Sequence, residues 1–143
     1  MSALASYKQS VLIVSCALYL VSLCLPALHF AEQASLAGYS LLLWGWWGVV
    51  TLDPAWFANP LFIIALVHCY LKGYKRAAIY SGGALVLALS SFKAKQWFFN
   101  EGGGTPITGL GVGFYIWIVA IIVLLTFNLV LARQAHKKAD HPR

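Results

Sequence analysis

The chain has 143 residues, of which 61% are hydrophobic and only 10% charged, with a net charge of +6. A soluble domain carries nearer ~25% charged residues to keep its surface wet, so lipid is the expected solvent for most of this chain. The basic excess sits beside apolar runs rather than along one polar face, which argues for membrane orientation and against nucleic-acid binding. The three cysteines, Cys16, Cys24 and Cys69, all fall inside apolar runs. They form no disulfide framework or zinc spacing, and are expected to act as small buried hydrophobes.

A crossing of ~30 Å of hydrocarbon takes ~20 helical residues, or ~17 at the low end. The first candidate runs from Ser10 to Phe30, preceded by Lys8 and free of charge. It exceeds the usual ~7–15-residue core of a signal peptide, and no small-x-small cleavage site follows it, so a transmembrane helix over 10–30 is expected. Next comes YSLLLWGWWGVVTL, residues 39–52. As a helix it would reach only ~21 Å, short of a crossing. Its tryptophans favour the membrane interface, where an indole is half apolar and half wet. It reads as an interfacial or re-entrant helix, lying flat or dipping in.

Asp53-Pro54 then opens the run 55–71, with Asp53 placed to cap it and Pro54 at the first helical position, where its missing N–H costs nothing. Pro60 should bend this second span. The basic KGYKR (72–76) separates it from a third span, 77–92. Ala77, Ser81, Ala84, Ala88 and Ser91 form a stripe of small residues there, suited to close helix approach in lipid. The loop QWFFNEGGGTPITGLG (96–111) reads either as a recognition loop, with Trp97 and Glu101 as contacts, or as a flexible connector anchored by its aromatics. Val112 to Ala132 is the clearest span, opening on Phe114, Tyr115 and Trp117 and closing into a hydrophilic tail, 133–143.

The charges arbitrate the topology. If 39–52 stays on one side, Lys8, KGYKR and the tail share a face that holds Lys8, Lys72, Lys75, Arg76, Arg133, Lys137, Lys138 and Arg143, and only Lys93 and Lys95 lie opposite. That asymmetry is what the positive-inside rule favours. The expected fold is therefore an all-α single membrane domain of four transmembrane helices, with both termini cytoplasmic.

The order LLLWGWWGVV, AWFANPL, NEGG and GLGVGFYIW resembles small four-helix inner-membrane proteins of bacteria, over about Leu25 to Trp117. The resemblance implies a bacterial cytoplasmic membrane location, and it carries no activity with it.

Chemistry-bearing residues are sparse. Asp53 is the acid most costly to place between membrane segments unless it caps or functions. Asn59, before Pro60, and Asn128, in the last span, suit hydrogen bonds to freed backbone or adjacent helices. His29 and Glu32 are spaced for one face of a helix, but two ligands do not make a zinc site. His68 and Cys69 stand too near the basic flank for a haem ligand deep in a bundle. No nucleophile–base set or row of intramembrane charges appears, and neither cofactor nor metal is expected. The reading is a non-enzymatic membrane component working through lipid or protein contacts, as an accessory, assembly or immunity-type factor. The alternatives are a homo-oligomeric channel or transporter subunit, with Asp53, Asn59 and Glu101 at its mouth, and an outer-face lipid-modifying enzyme.

Overall fold

The computed structural model describes residues 3–49, 53–100 and 103–140. The elements in chain order are α1 (Ala3–Cys24), β1 (Pro26–Phe30), β2 (Leu36–Ala37), α2 (Gly38–Trp44), a 3-10 segment (Gly45–Val49), a second one (Pro54–Phe57), α3 (Ala58–Tyr70), α4 (Tyr74–Ser90), a 3-10 turn (Ser91–Lys93), β3 (Gln96–Trp97), β4 (Thr105–Leu110) and α5 (Val112–Asp140).

Helices α1, α3, α4 and α5 pack as a bundle. Its interior is built from small side chains: Ala58, Ala65, Ala77, Ala84, Ala88 and Ala120 are fully buried, with Phe62, Ile121 and Leu124 filling the space between them. Small residues let helix backbones approach closely, so dispersion and polar cross-links hold the pairs. Ser15 Oγ donates to Ala120 O at 2.8 Å, joining α1 to α5, and Asn128 Nδ2 reaches Ser81 Oγ at 3.4 Å, joining α5 to α4. The α4 stripe from Ala77 to Ala88 is buried in this interior, whereas Ser91 is half-buried and turns its hydroxyl back onto Ala88 O.

The four strands form one antiparallel sheet at a single end of the bundle, in the order β2-β1-β4-β3. Leu28 pairs with Leu36 on one side and Leu110 on the other, while Trp97 pairs with Thr105. Every long helix has one terminus under this sheet. The opposite end carries the α3–α4 turn, with Lys72, Lys75 and Arg76, and the basic last turns of α5.

This fold overturns the expectation of an all-α protein with four transmembrane helices. Among the described residues one helix, Val112–Lys137, is long and apolar enough to cross a membrane, with a mean hydropathy of 2.6 in its most apolar stretch. It gives limited support for membrane association.

The other expected spans fall short for local reasons. Residues 10–30 break at Cys24, because proline disfavours helix in the residue before it and lacks an amide donor; Pro26–Phe30 becomes a strand instead. Residues 55–71 start as 3-10, leaving α3 only 13 residues. Helix α4 has 17 residues and begins with Lys75 and Arg76 in its first turn. Between them, the expected 39–52 helix is α only over Gly38–Trp44 and 3-10 to Val49, and residues 50–52 lie outside the described set. The 96–111 loop contains two strands rather than a flexible connector, and helix α5 continues through residues read as a tail, to Asp140.

Each long helix also turns large apolar side chains outward. Ile13 and Leu20, Ile63 and Val67, Ile79 and Val86, and Val119 and Val130 are all exposed. An exposed apolar surface of that extent marks contact with lipid or protein rather than water.

Candidate functional site

The main cavity lies between the sheet and the bundle. Its volume is about 740 Å³, within the usual ~300–1,000 Å³ of small-molecule sites. Six separate stretches meet around it: the end of α1, the sheet, the tryptophan-rich segment, the Asp53–Asn59 turn, the turn after α4 at Ser91 and Ala94, and the first turns of α5. Leu28, Leu41, Ile107 and Phe114 supply aliphatic and aromatic wall, and Trp44, Trp47, Trp56, Trp97 and Trp117 also line it. Trp44 and Trp47 are exposed as well, as are Phe98 and Phe99, so the same side chains line the cavity and reach the surface.

Asn59 organises the floor. It is 8% exposed. Its Oδ1 accepts from Tyr19 Oη and from Trp117 Nε1, each at 3.0 Å, and its Nδ2 donates to Trp56 O at 3.0 Å. One side chain thereby ties α1, α3 and α5 together at the level where the bundle meets the cavity. The Tyr19 ring stacks on Phe62 at a centroid distance of 4.8 Å, which seats its hydroxyl. Trp56 Nε1 donates to Leu42 O at 2.8 Å and so fastens the tryptophan-rich segment to the start of α3.

Asp53 stands beside this network. Its backbone is extended, its Oδ1 accepts from Ala55 N at 3.0 Å, and Pro54 occupies the first helical position. Its own N–H donates to Gly48 O at 2.7 Å, closing the tryptophan-rich segment onto the turn. A Cβ added at Gly48 would lie 2.5 Å from Asp53 O, so this closure requires glycine.

The structure therefore gathers three of the four candidate residues, Asp53, Asn59 and Trp97, around one cavity. Glu101 lies outside the described residues. The bundle beneath is filled by Phe62, Ile121 and Leu124. His29 is in β1, where it pairs with Ser35 Oγ at 2.7 Å, so the helical spacing that would have set it beside Glu32 does not exist. His68 stacks on Tyr80, with ring centroids 5.2 Å apart. Among the described residues no three His, Cys, Asp or Glu converge as a metal set. Of the cysteines only Cys69 is buried; Cys24 is exposed and Cys16 intermediate, because the helix surface they occupy faces outward.

Reading in sequence missed Leu28, Leu36 and Ile107 as cavity residues, because they arrive through the sheet, and Ser22 and Gly113, because they line it from the ends of α1 and α5 that the sheet brings together. The signal for β4 was present in TPITGL, with β-branched Thr105, Ile107 and Thr108 bounded by glycines, a strand composition. Comparison with family models, with curated proteins and with solved structures gives no match, so the site's chemistry has to be read from its geometry.

Proposed function

We propose that this chain is a non-enzymatic membrane component that holds an amphipathic molecule drawn from the bilayer in the cavity under its sheet. The observation that carries the reading is the cavity itself: large, walled by aliphatic and aromatic side chains, and rimmed by exposed Trp44, Trp47, Phe98 and Phe99. Aromatic residues of that kind favour the headgroup boundary of a bilayer, the depth at which a lipid's head and tail separate. The outward apolar surface of the bundle and the Val112–Lys137 helix support the same setting.

In this reading the protein sits in a bacterial cytoplasmic membrane, held by the Val112–Lys137 helix, with the basic α3–α4 turn and the end of α5 towards the cytoplasmic face and the sheet towards the other. The basic residues gathered at the end away from the sheet support that orientation. Such a protein acts by contact, as an accessory, assembly or immunity-type factor that presents or shields its bound molecule. The polar groups of the floor serve positioning: Asn59 is consumed by three hydrogen bonds and Asp53 caps a helix.

Native mass spectrometry of protein extracted gently from its own membrane tests this. The expected result is a protein ion that keeps one lipid mass after detergent is stripped, and loses it when Leu28 and Ile107 are both changed to tryptophan to fill the cavity. A wild-type protein that retains nothing, or keeps the lipid when the cavity is filled, overturns the reading.

A further inference from the structure

Resting on that reading of the cavity, we infer that its occupant is a lipid whose headgroup ends in an ammonium, seated by Asp53 and the surrounding indole rings. The argument is charge complementarity. Among the described residues that line the cavity, Asp53 is the one charged side chain, and none of them is a lysine, arginine or histidine. The residues outside the described set nearest to it in sequence, 50–52 and 101–102, contain no basic residue either. This holds in a chain with ten Lys and Arg against four Asp and Glu, where a neutral or basic lining is the expectation. A purely anionic head meets a carboxylate and, among the described lining residues, no counter-charge; a zwitterionic head that ends in an ammonium brings its positive group to a carboxylate and five tryptophans.

The carboxylate has capacity to spare. One hydrogen bond, from Ala55 N to Oδ1, is its helix-capping duty, whereas an ionised carboxylate offers about four acceptor sites. The indoles add the second element of recognition, since a cation over a tryptophan face is drawn by the ring's quadrupole, most strongly where water is excluded. Trp56 and Trp117 are held in place by their own N–H groups, on Leu42 O and Asn59 Oδ1, so both rings are fixed rather than free to turn away. The tail of such a lipid lies against Leu28, Leu41, Ile107 and Phe114, which need no polar partner.

The test uses the full-length protein in nanodiscs of equimolar phosphatidylethanolamine and phosphatidylglycerol with identical acyl chains, read by native mass spectrometry. The expected result is co-retention of phosphatidylethanolamine over phosphatidylglycerol by roughly tenfold, the size one desolvated cation–π or ion-pair contact supplies. Asp53→Asn keeps a side-chain cap and should bring the ratio toward parity. Trp47→Leu should reduce it without changing the charge. Equal retention of the two lipids by the wild type, preference for phosphatidylglycerol, or a ratio unmoved by Asp53→Asn overturns the inference while leaving the cavity reading in place. Retention of neither lipid overturns both. The wild-type competition alone decides the matter if either variant fails to fold.

Discussion

Asn59 shows how one polar side chain earns its place in an apolar bundle. Its oxygen satisfies the two donors that Tyr19 and Trp117 bring to the floor of the cavity. Asn59→Ala strands both, and a buried donor left without a partner costs about 1–3 kcal/mol. We expect a destabilisation of about 2 kcal/mol, read as a lower unfolding midpoint in detergent; an unchanged midpoint would show the network to be idle. Asp53 gives a second contrast. Asp53→Ala removes the acceptor for Ala55 N and should cost about 1 kcal/mol, whereas Asn is an equally good cap and should cost almost nothing. Equal losses for the two substitutions in thermal unfolding would mean that the carboxylate's charge, not its capping bond, holds the turn.

At the scale of elements, two contacts decide the architecture. Helix α4 enters the bundle through its small residues, and Ala84 is fully buried. Ala84→Leu should overpack that seam at about 1–3 kcal/mol, while Val86→Leu on the outward face should stay within about 0.5 kcal/mol. A chemical-denaturation comparison of the two checks the seam, and matching midpoints would refute it. The junction of sheet and bundle turns on Gly113, where an added Cβ would lie 2.6 Å from Leu25 O and 2.8 Å from Ser22 O. Both are backbone atoms and cannot swing aside. Gly113→Ala should therefore push α5 from the end of α1 and loosen β1 from β4. Limited proteolysis should then cut near residues 103–110 faster than in the wild type, and an unchanged cleavage pattern would contradict this.

For the molecule as a whole, the arrangement is polarised. The sheet, the tryptophan-rich segment and the cavity occupy one end, and the α3–α4 turn with its cations occupies the other. If the apolar bundle surface lies in lipid, the two ends face different compartments. In a background with Cys16, Cys24 and Cys69 replaced by serine or alanine, Gln33→Cys and Gln134→Cys probe those ends at exposed positions. A membrane-impermeant maleimide should label the first from outside intact spheroplasts and the second only in inverted vesicles. Labelling of both from the same side would refute the proposed orientation.

How much of this could be read before the structure depended on the range of the interaction concerned. Composition dictated the apolar character, because a chain with 10% charged residues cannot coat itself in polar groups. Local stereochemistry dictated the Asp53-Pro54 helix start and the small-residue stripe on α4, since a cap and an i, i+4 face involve neighbours in the chain. Pairing between distant segments was beyond that reach. Leu28 and Leu110 are far apart in sequence, and only the folded bundle brings β1 beside β4. An apolar run such as 10–30 satisfies a helix and a buried strand equally well by composition, so its length alone suggested a span that Pro26 ends early. The cavity is of the same kind. Asp53 and Asn59 were visible as isolated polar residues, but their shared wall with Trp97 exists because a sheet drawn from two separate connections closes over the bundle. Apolar character, short-range geometry and the early ends of the helices were thus legible in composition and local stereochemistry; the sheet and the cavity were decided by long-range packing, because they join segments distant in the chain.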